Sequence, residues 1–199
     1  MTPRNFSTAP AQFPKADAAL EQAAQLRREG RATAAEERYE AALAQDPAHR
    51  GALHELSLLR LQRGAFEEAA GLIRRLIDRD PGFSDAHNNL GIALRGLNRP
   101  ADAVQHFEKA IALAPNRPEA HFNLGRAQQD LGRMPQARAC YERAIALRPD
   151  YADAHINLGN GDSAALHNHK YDFNDEAIPY GVALYGAIVE KKLPKGQID

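Results

Sequence analysis

The sequence is poor in cysteine, in aromatic residues and in long apolar runs, and charge of neither sign is in excess. Because Cys140 is the only cysteine, an intrachain disulfide is excluded and a reducing compartment is favoured. The 25 basic and 26 acidic side chains nearly cancel, so composition does not indicate a nucleic acid or an anionic membrane as partner. The longest apolar stretch, residues 178–189, is interrupted by proline and glycine and is too short to span a bilayer. We therefore expect a soluble, cytoplasmic protein.

In place of large aromatic residues the chain has many alanines and leucines, and several positions recur with a period of 34 residues. Four markers share this period: a proline, an alanine, a large aromatic or aliphatic residue, and a second alanine or leucine. Their members are Pro47, Pro81, Pro115 and Pro149; Ala35, Ala69, Ala103 and Ala137; Tyr39, Ile73, Phe107 and Tyr141; and Ala42, Leu76, Ala110 and Ala144. Four markers in one register over four periods indicate a structural repeat.

Each marker has a physical role in a pair of packed helices. The first alanine is expected where two helices come closest, and the large side chain four residues later lies on the same helical face. The proline ends the second helix because it cannot continue the hydrogen-bond ladder. The turn within each pair is expected at Gly30, Gly64, Asn98 and Gly132, since glycine and asparagine tolerate a positive φ.

A five-residue motif recurs with the same period: HNNLG from His87, HFNLG from His121 and HINLG from His155. The glycine that ends each motif is expected to allow close packing against the partner helix. With the other markers, these motifs resemble the tetratricopeptide repeat. The resemblance implies an all-α, right-handed α-solenoid of helix-turn-helix units over residues 16–158, after a flexible arm at 1–15. It implies four full repeats and a half repeat: 16–49, 50–83, 84–117, 118–151 and 152–158.

The resemblance also implies a concave groove, lined by the first helix of each unit, that binds a peptide or protein. Asn89, Asn123 and Asn157 recur with the period of the repeat, and their carboxamides can hold a peptide backbone of any sequence. The alternative is that these asparagines only follow the repeat consensus and solvate the inner face. The aromatic and aliphatic members are expected to form pockets, and the arginines to pair with acidic groups. The predicted groove residues are Asn88, Asn89, Arg95, Phe122, Asn123, Arg126, Ile156 and Asn157.

The recurring histidines raise the question of a metal site. His87, His121 and His155 belong to different repeats, and packed helical layers are roughly 10 Å apart, which is too far for them to share one ion. We therefore interpret them as packing residues and predict no metal, no cofactor and no catalysis.

The repeat pattern stops after residue 158. We expect a linker at 159–173, because glycine, aspartate and serine follow one another there, and a tail at 174–199. Residues 166–193 resemble the C-terminus of zinc-dependent amidohydrolases of the hippurate-hydrolase and aminoacylase type, through LHN and YDFNDEAIPYG. The resemblance implies that His167 corresponds to a metal ligand, but the other ligands are missing, so no metal site is expected. A fusion, a frameshift or an engineered joint would each explain such a tail.

The tail has one apolar stripe, formed by Ile178, Val182, Tyr185 and Val189, which predicts a helix at about 175–193. One hypothesis is that this helix replaces the missing second helix of the fifth unit and caps the stack. The alternative is that it docks in the groove of a neighbouring molecule and causes self-association.

These patterns favour a protein-interaction scaffold without catalytic activity. A second hypothesis is the substrate-presenting arm of a glycosyltransferase that resembles the O-linked N-acetylglucosamine transferases, whose catalytic domain is absent here. A third is an amidohydrolase remnant, which would bind zinc.

Overall fold

The computed structural model describes residues 14–166, with side chains from 15 to 159. Within this range the chain forms nine α-helices and no strand. The helices are α1 (Pro14–Arg28), α2 (Ala32–Gln45), α3 (Arg50–Gln62), α4 (Phe66–Arg79), α5 (Ser84–Gly96), α6 (Pro100–Leu113), α7 (Pro118–Asp130), α8 (Met134–Leu147) and α9 (Ala152–Leu166). The helices α3, α5, α7 and α9 begin 34 residues apart. The predicted all-α solenoid is confirmed.

Each helix packs on its neighbours along the chain, so that four hairpins and α9 follow one another in a row. The odd-numbered helices also contact one another from hairpin to hairpin, as α3 contacts α5 and α5 contacts α7. This second set of contacts gathers the odd-numbered helices on one side of the stack. A stack of this kind has no single central core, and its stability comes from the interfaces between successive units.

The turns inside the four hairpins have one shared geometry. Gly30, Gly64 and Gly132 have φ values of 74°, 74° and 71°, and Asn98 has φ 58°. In each turn the next backbone N–H donates to a carbonyl five residues earlier, as Arg99 N–H does to Leu94 O at 2.9 Å. This is the bond that closes a helix through a left-handed residue. Asparagine therefore replaces glycine here with the backbone unchanged.

The large residues predicted to lie between helices are buried: Tyr39, Ile73, Phe107 and Tyr141 are each at most 2% exposed. Two of these large residues, Phe107 and Tyr141, explain why the five-residue motif ends in glycine. A Cβ atom on Gly91 would lie 2.5 Å from the Phe107 ring, and one on Gly125 would lie 2.6 Å from the Tyr141 ring. Each ring thus rests directly on the backbone of the facing helix.

The recurring histidines connect α5, α7 and α9 to the loop before each of these helices. The Nε2 atoms of His87, His121 and His155 lie 3.1, 2.9 and 2.9 Å from carbonyl oxygens six residues earlier. Those carbonyls belong to the repeating prolines Pro81, Pro115 and Pro149. Because a carbonyl oxygen can only accept a hydrogen bond, the hydrogen of each imidazole in this contact lies on Nε2.

The last described helix is longer than the sequence indicates. A linker was predicted from residue 159, but α9 continues to Leu166. Glycine costs only about 1 kcal/mol relative to alanine inside a helix, and Ala164, Ala165 and Leu166 are good helix formers. Residues 1–13 and 167–199, which include most of the predicted arm and the helix expected at 175–193, lie outside the described residues.

Candidate binding groove

The inner face of the stack is built by the odd-numbered helices, which lie side by side. All eight predicted groove residues lie on three of these helices, α5, α7 and α9. Their exposure differs widely: Asn89 is 8% and Phe122 7% exposed, whereas Ile156 is 52% exposed. The inner face thus has parts that are closed by packing and parts that are open to a ligand.

Asparagine side chains join α5 to α7 at the centre of this face. Asn123 donates from Nδ2 to Asn88 Oδ1 at 3.0 Å, and Asn88 donates from Nδ2 to Asn89 Oδ1 at 3.4 Å. Asn89 is buried at the end of this chain of amides. Among the described residues no donor is recorded for Asn123 Oδ1, and Asn88 Nδ2 has a second hydrogen. The Nδ2 group of Asn123 also has a second hydrogen. The two half-buried amides, Asn88 and Asn123, therefore keep one unbonded oxygen and two donor hydrogens for a ligand.

Asn157, the third asparagine of the predicted set, has a different environment. Its Nδ2 donates to Asp153 O at 2.8 Å, within α9 itself. The three asparagines at equal sequence spacing are therefore not structurally equivalent. The amide pair that bridges two repeats is Asn88 with Asn123.

Phe122 is buried beneath the inner face, where its ring packs against two tyrosine rings. Its ring centroid lies 5.0 Å from that of Tyr151 and 5.8 Å from that of Tyr141. The Tyr141 hydroxyl donates to Gln129 Oε1 at 2.7 Å, and burial raises the pKa of Tyr141 to about 12. This tyrosine therefore stays neutral. Phe122 fills space between α7, α8 and the chain before α9, and Ile156 is the apolar side chain that the inner face exposes.

The two predicted arginines differ in their partners. Arg95 on α5 forms an ion pair with Asp130 on α7. The Arg126 guanidinium carbon lies 5.8 Å from the centroid of the Phe122 ring, and no carboxylate within residues 15–159 pairs with it. A cation over an aromatic ring is held in place without being neutralised. Arg126 is thus the cation of this face that is available to an acidic group.

Two carboxylates near the same surface are neutralised within the protein. Asp85 pairs with Arg117, and Glu119 pairs with Arg148. Burial acts to raise the pKa of Glu119, but its own backbone N–H and the Arg148 guanidinium outweigh burial, so the pKa lies below its usual value. Of the two predicted groove arginines, Arg126 is therefore the one that no described carboxylate neutralises.

The part of the chain that the structure describes offers no metal site, no activated cysteine and no helix that could span a membrane. Between residues 14 and 166, no group of three or more histidine, cysteine, aspartate or glutamate side chains is placed to hold a metal ion. Burial raises the pKa of Cys140 to about 11, so its sulfur stays in the less nucleophilic thiol form. No described helix has the length and apolarity needed to cross a membrane.

Comparison with known proteins gives one consistent result. Family models of the tetratricopeptide repeat match residues 13–83, 55–118 and 94–156. These matches do not support the amidohydrolase resemblance of residues 166–193. No curated protein matches the chain.

Solved structures with the same fold include two of MamA. A crystal structure of MamA protein aligns with a TM-score of 0.76 at 21% identity, covering 94% of this chain and 100% of that one. MamA 41-end from Desulfovibrio magneticus RS-1 aligns with a TM-score of 0.79 at 16% identity, covering 92% and 100%. The first repeat domain of Spaghetti (RPAP3), bound to the HSP90 peptide SRMEEVD, aligns with a TM-score of 0.55 at 25% identity, covering 57% and 90%.

Proposed function

Since this chain belongs to the tetratricopeptide-repeat family, we propose that it is a non-catalytic scaffold that binds an extended peptide along its inner face. The observation that carries the proposal is the amide pair of Asn88 and Asn123 beside the unneutralised Arg126. The Spaghetti domain, whose structure holds a peptide, supports a peptide as the kind of ligand. The alternative of a glycosyltransferase arm would use the same face, and it stays a prediction.

The amide pair suits a peptide backbone. An extended peptide presents N–H and C=O groups on each side. The pair offers an acceptor, Asn123 Oδ1, and the second hydrogen of each Nδ2 group as a donor. The hydrogen bond between the two side chains fixes their positions before a ligand arrives. A preorganised contact of this kind loses less side-chain entropy on binding. Recognition through these amides does not depend on the peptide sequence.

Sequence preference would come from Arg126. Arg126 is half-buried, and its guanidinium lies over the Phe122 ring. Two nearby carboxylates, Asp85 and Glu119, are already paired with other arginines. A ligand carboxylate would therefore not have to displace an internal partner. We propose that the inner face prefers peptides with acidic side chains, by about 1 kcal/mol for one partly exposed ion pair.

The experiment uses three fluorescein-labelled pools of heptapeptides, with acidic, neutral or basic side chains, titrated with the full chain and followed by anisotropy. We expect the acidic pool to bind about fivefold more tightly than the neutral one, which is the factor equivalent to 1 kcal/mol. In Arg126→Gln the acidic preference is lost. In the double variant Asn88→Ala, Asn123→Ala all pools bind more weakly, since each hydrogen bond contributes about 0.5–1.5 kcal/mol.

Gln105→Ala, on the exposed side of α6, is the matched control and should leave binding unchanged. Thermal unfolding of every variant separates a lost contact from a lost fold. The proposal fails if the double variant binds all three pools as the wild type does. The acidic preference fails separately if it persists in Arg126→Gln.

A further inference from the structure

The stack ends on a surface that is built to be covered. A Cβ atom on Gly159 would meet no described residue within 4 Å, whereas at the equivalent Gly91 and Gly125 an aromatic ring lies 2.5 and 2.6 Å away. The leucine before Gly159, Leu158, is only half-buried, whereas Leu90 is 3% exposed. We call this surface of α9, centred on Leu158 and Gly159, the end face. It has the motif of a first helix, and no second helix packs on it between residues 14 and 166.

The chain continues for 33 residues, from 167 to 199, beyond α9. Part of this sequence repeats the pattern of α8 at an offset of 44, for example from Tyr141 to Tyr185. The matched pairs are Met134 with Ile178, Pro135 with Pro179, Ala137 with Gly181, Tyr141 with Tyr185, Ala144 with Ile188 and Ile145 with Val189. Ile188 stands where α8 has the small Ala144, but the second unit also has a large residue, Leu76, at this position. Pro194 follows the segment, as Pro149 follows α8.

The offset exceeds the repeat period of 34 by ten residues. Two of them lengthen α9, which has 15 residues where α7 has 13, and the rest fall in the turn. Three residues, 97–99, connect α5 to α6, whereas eleven, 167–177, separate α9 from residue 178. A longer turn gives the chain ample reach, and the entropy of closing it grows only with the logarithm of its length. An insertion in a turn therefore does not prevent the two helices from packing.

We propose that residues 178–191 form the second helix of the fifth unit and cover the end face of the same molecule, with the Tyr185 ring on the backbone of Gly159. The geometry would repeat the packing of Tyr141 on Gly125. The same molecule is the occupant because the segment is tethered directly to the surface it fits, which gives a high effective concentration. This inference is independent of the proposed peptide binding, because it concerns the end of the stack.

The absence of tryptophan from the chain makes a direct test possible in the full-length protein. In Tyr185→Trp the indole is the only one present, and its emission and its quenching by iodide report burial. The matched control is Tyr180→Trp, whose counterpart in α8 is the exposed Gln136. We expect blue-shifted, protected emission from the first variant and solvent-exposed emission from the second, at a monomeric mass by light scattering.

A second substitution links the reporter to the end face. Adding Gly159→Leu to Tyr185→Trp should shift the emission to that of an exposed indole, because the new side chain occupies the place of the ring. Circular dichroism checks that the helices of the stack persist. Equal exposure of the indole in the two tryptophan variants overturns the proposal. Protection that appears only with a doubled mass at high concentration also overturns it, since the segment would then cover a second copy.

Discussion

The hairpin α7–α8 and the last described helix, α9, carry the same five-residue motif, but only some of the contacts made by that motif occur in both. His121 and His155 each bond to the proline carbonyl six residues earlier, at 2.9 Å in both cases. In contrast, Gly125 lies against the Tyr141 ring, whereas no residue in the described part of the chain lies within 4 Å of a Cβ on Gly159. The comparison shows that the motif has two separate functions. The histidine acts locally on its own loop, and the glycine acts only when a second helix is present.

The largest effect should come from removing a ring that lies between helices. Phe107→Ala is expected to cost about 3–5 kcal/mol of unfolding free energy, because the ring is fully buried on Gly91. Ile156→Ala on α9, where the side chain is 52% exposed, should change stability by less than about 0.5 kcal/mol. Urea unfolding followed by circular dichroism measures both. Similar costs for the two variants would mean that the end of the stack is packed as tightly as its middle.

The next effect concerns the glycine itself. Gly125→Ala is expected to cost about 1–3 kcal/mol, as overpacked sites do, since its Cβ would lie 2.6 Å from Tyr141. Gly159→Ala, made in a Tyr185→Ala background, should instead be neutral or stabilise the protein by up to about 1 kcal/mol through helix propensity. Melting temperatures of each pair of proteins give the sign. A loss of stability at Gly159 in that background would show that a group other than Tyr185 covers it.

The parts of the fold that repeat with the period were predictable. The left-handed turn at Asn98 and the burial of Phe107 and Tyr141 follow from residues that occupy equal positions in successive units. The length of α9 was not predictable in this way, because residues 159–163 have poor helix propensity and still continue the helix. A helix that has already started adds residues at low cost, which local composition does not reveal.

The contacts of the predicted groove residues did not follow from the period alone, since they join neighbouring units. Asn88 with Asn123 and Arg95 with Asp130 are both pairs 35 residues apart, one more than the period. A comparison of residues that occupy the same position in successive repeats does not identify such pairs. A search for complementary side chains at a separation of 35 would have found both pairs. Phe122 was expected in a pocket, and the structure places it against Tyr151 of the next unit.

The smallest effect should come from removing the hydrogen bond that the motif histidine makes to its own loop. His121→Phe and His155→Phe keep a ring of similar size and remove the hydrogen bond to Pro115 O and Pro149 O. Each is expected to cost about 0.5–1.5 kcal/mol, and the two costs should agree because the bond involves only the loop and the helix that follows it. Urea unfolding of both variants, with exposed Gln105→Ala as control, makes the measurement. If only His121→Phe is destabilising, the histidine depends on the second helix as the glycine does, and the two functions of the motif are not separable.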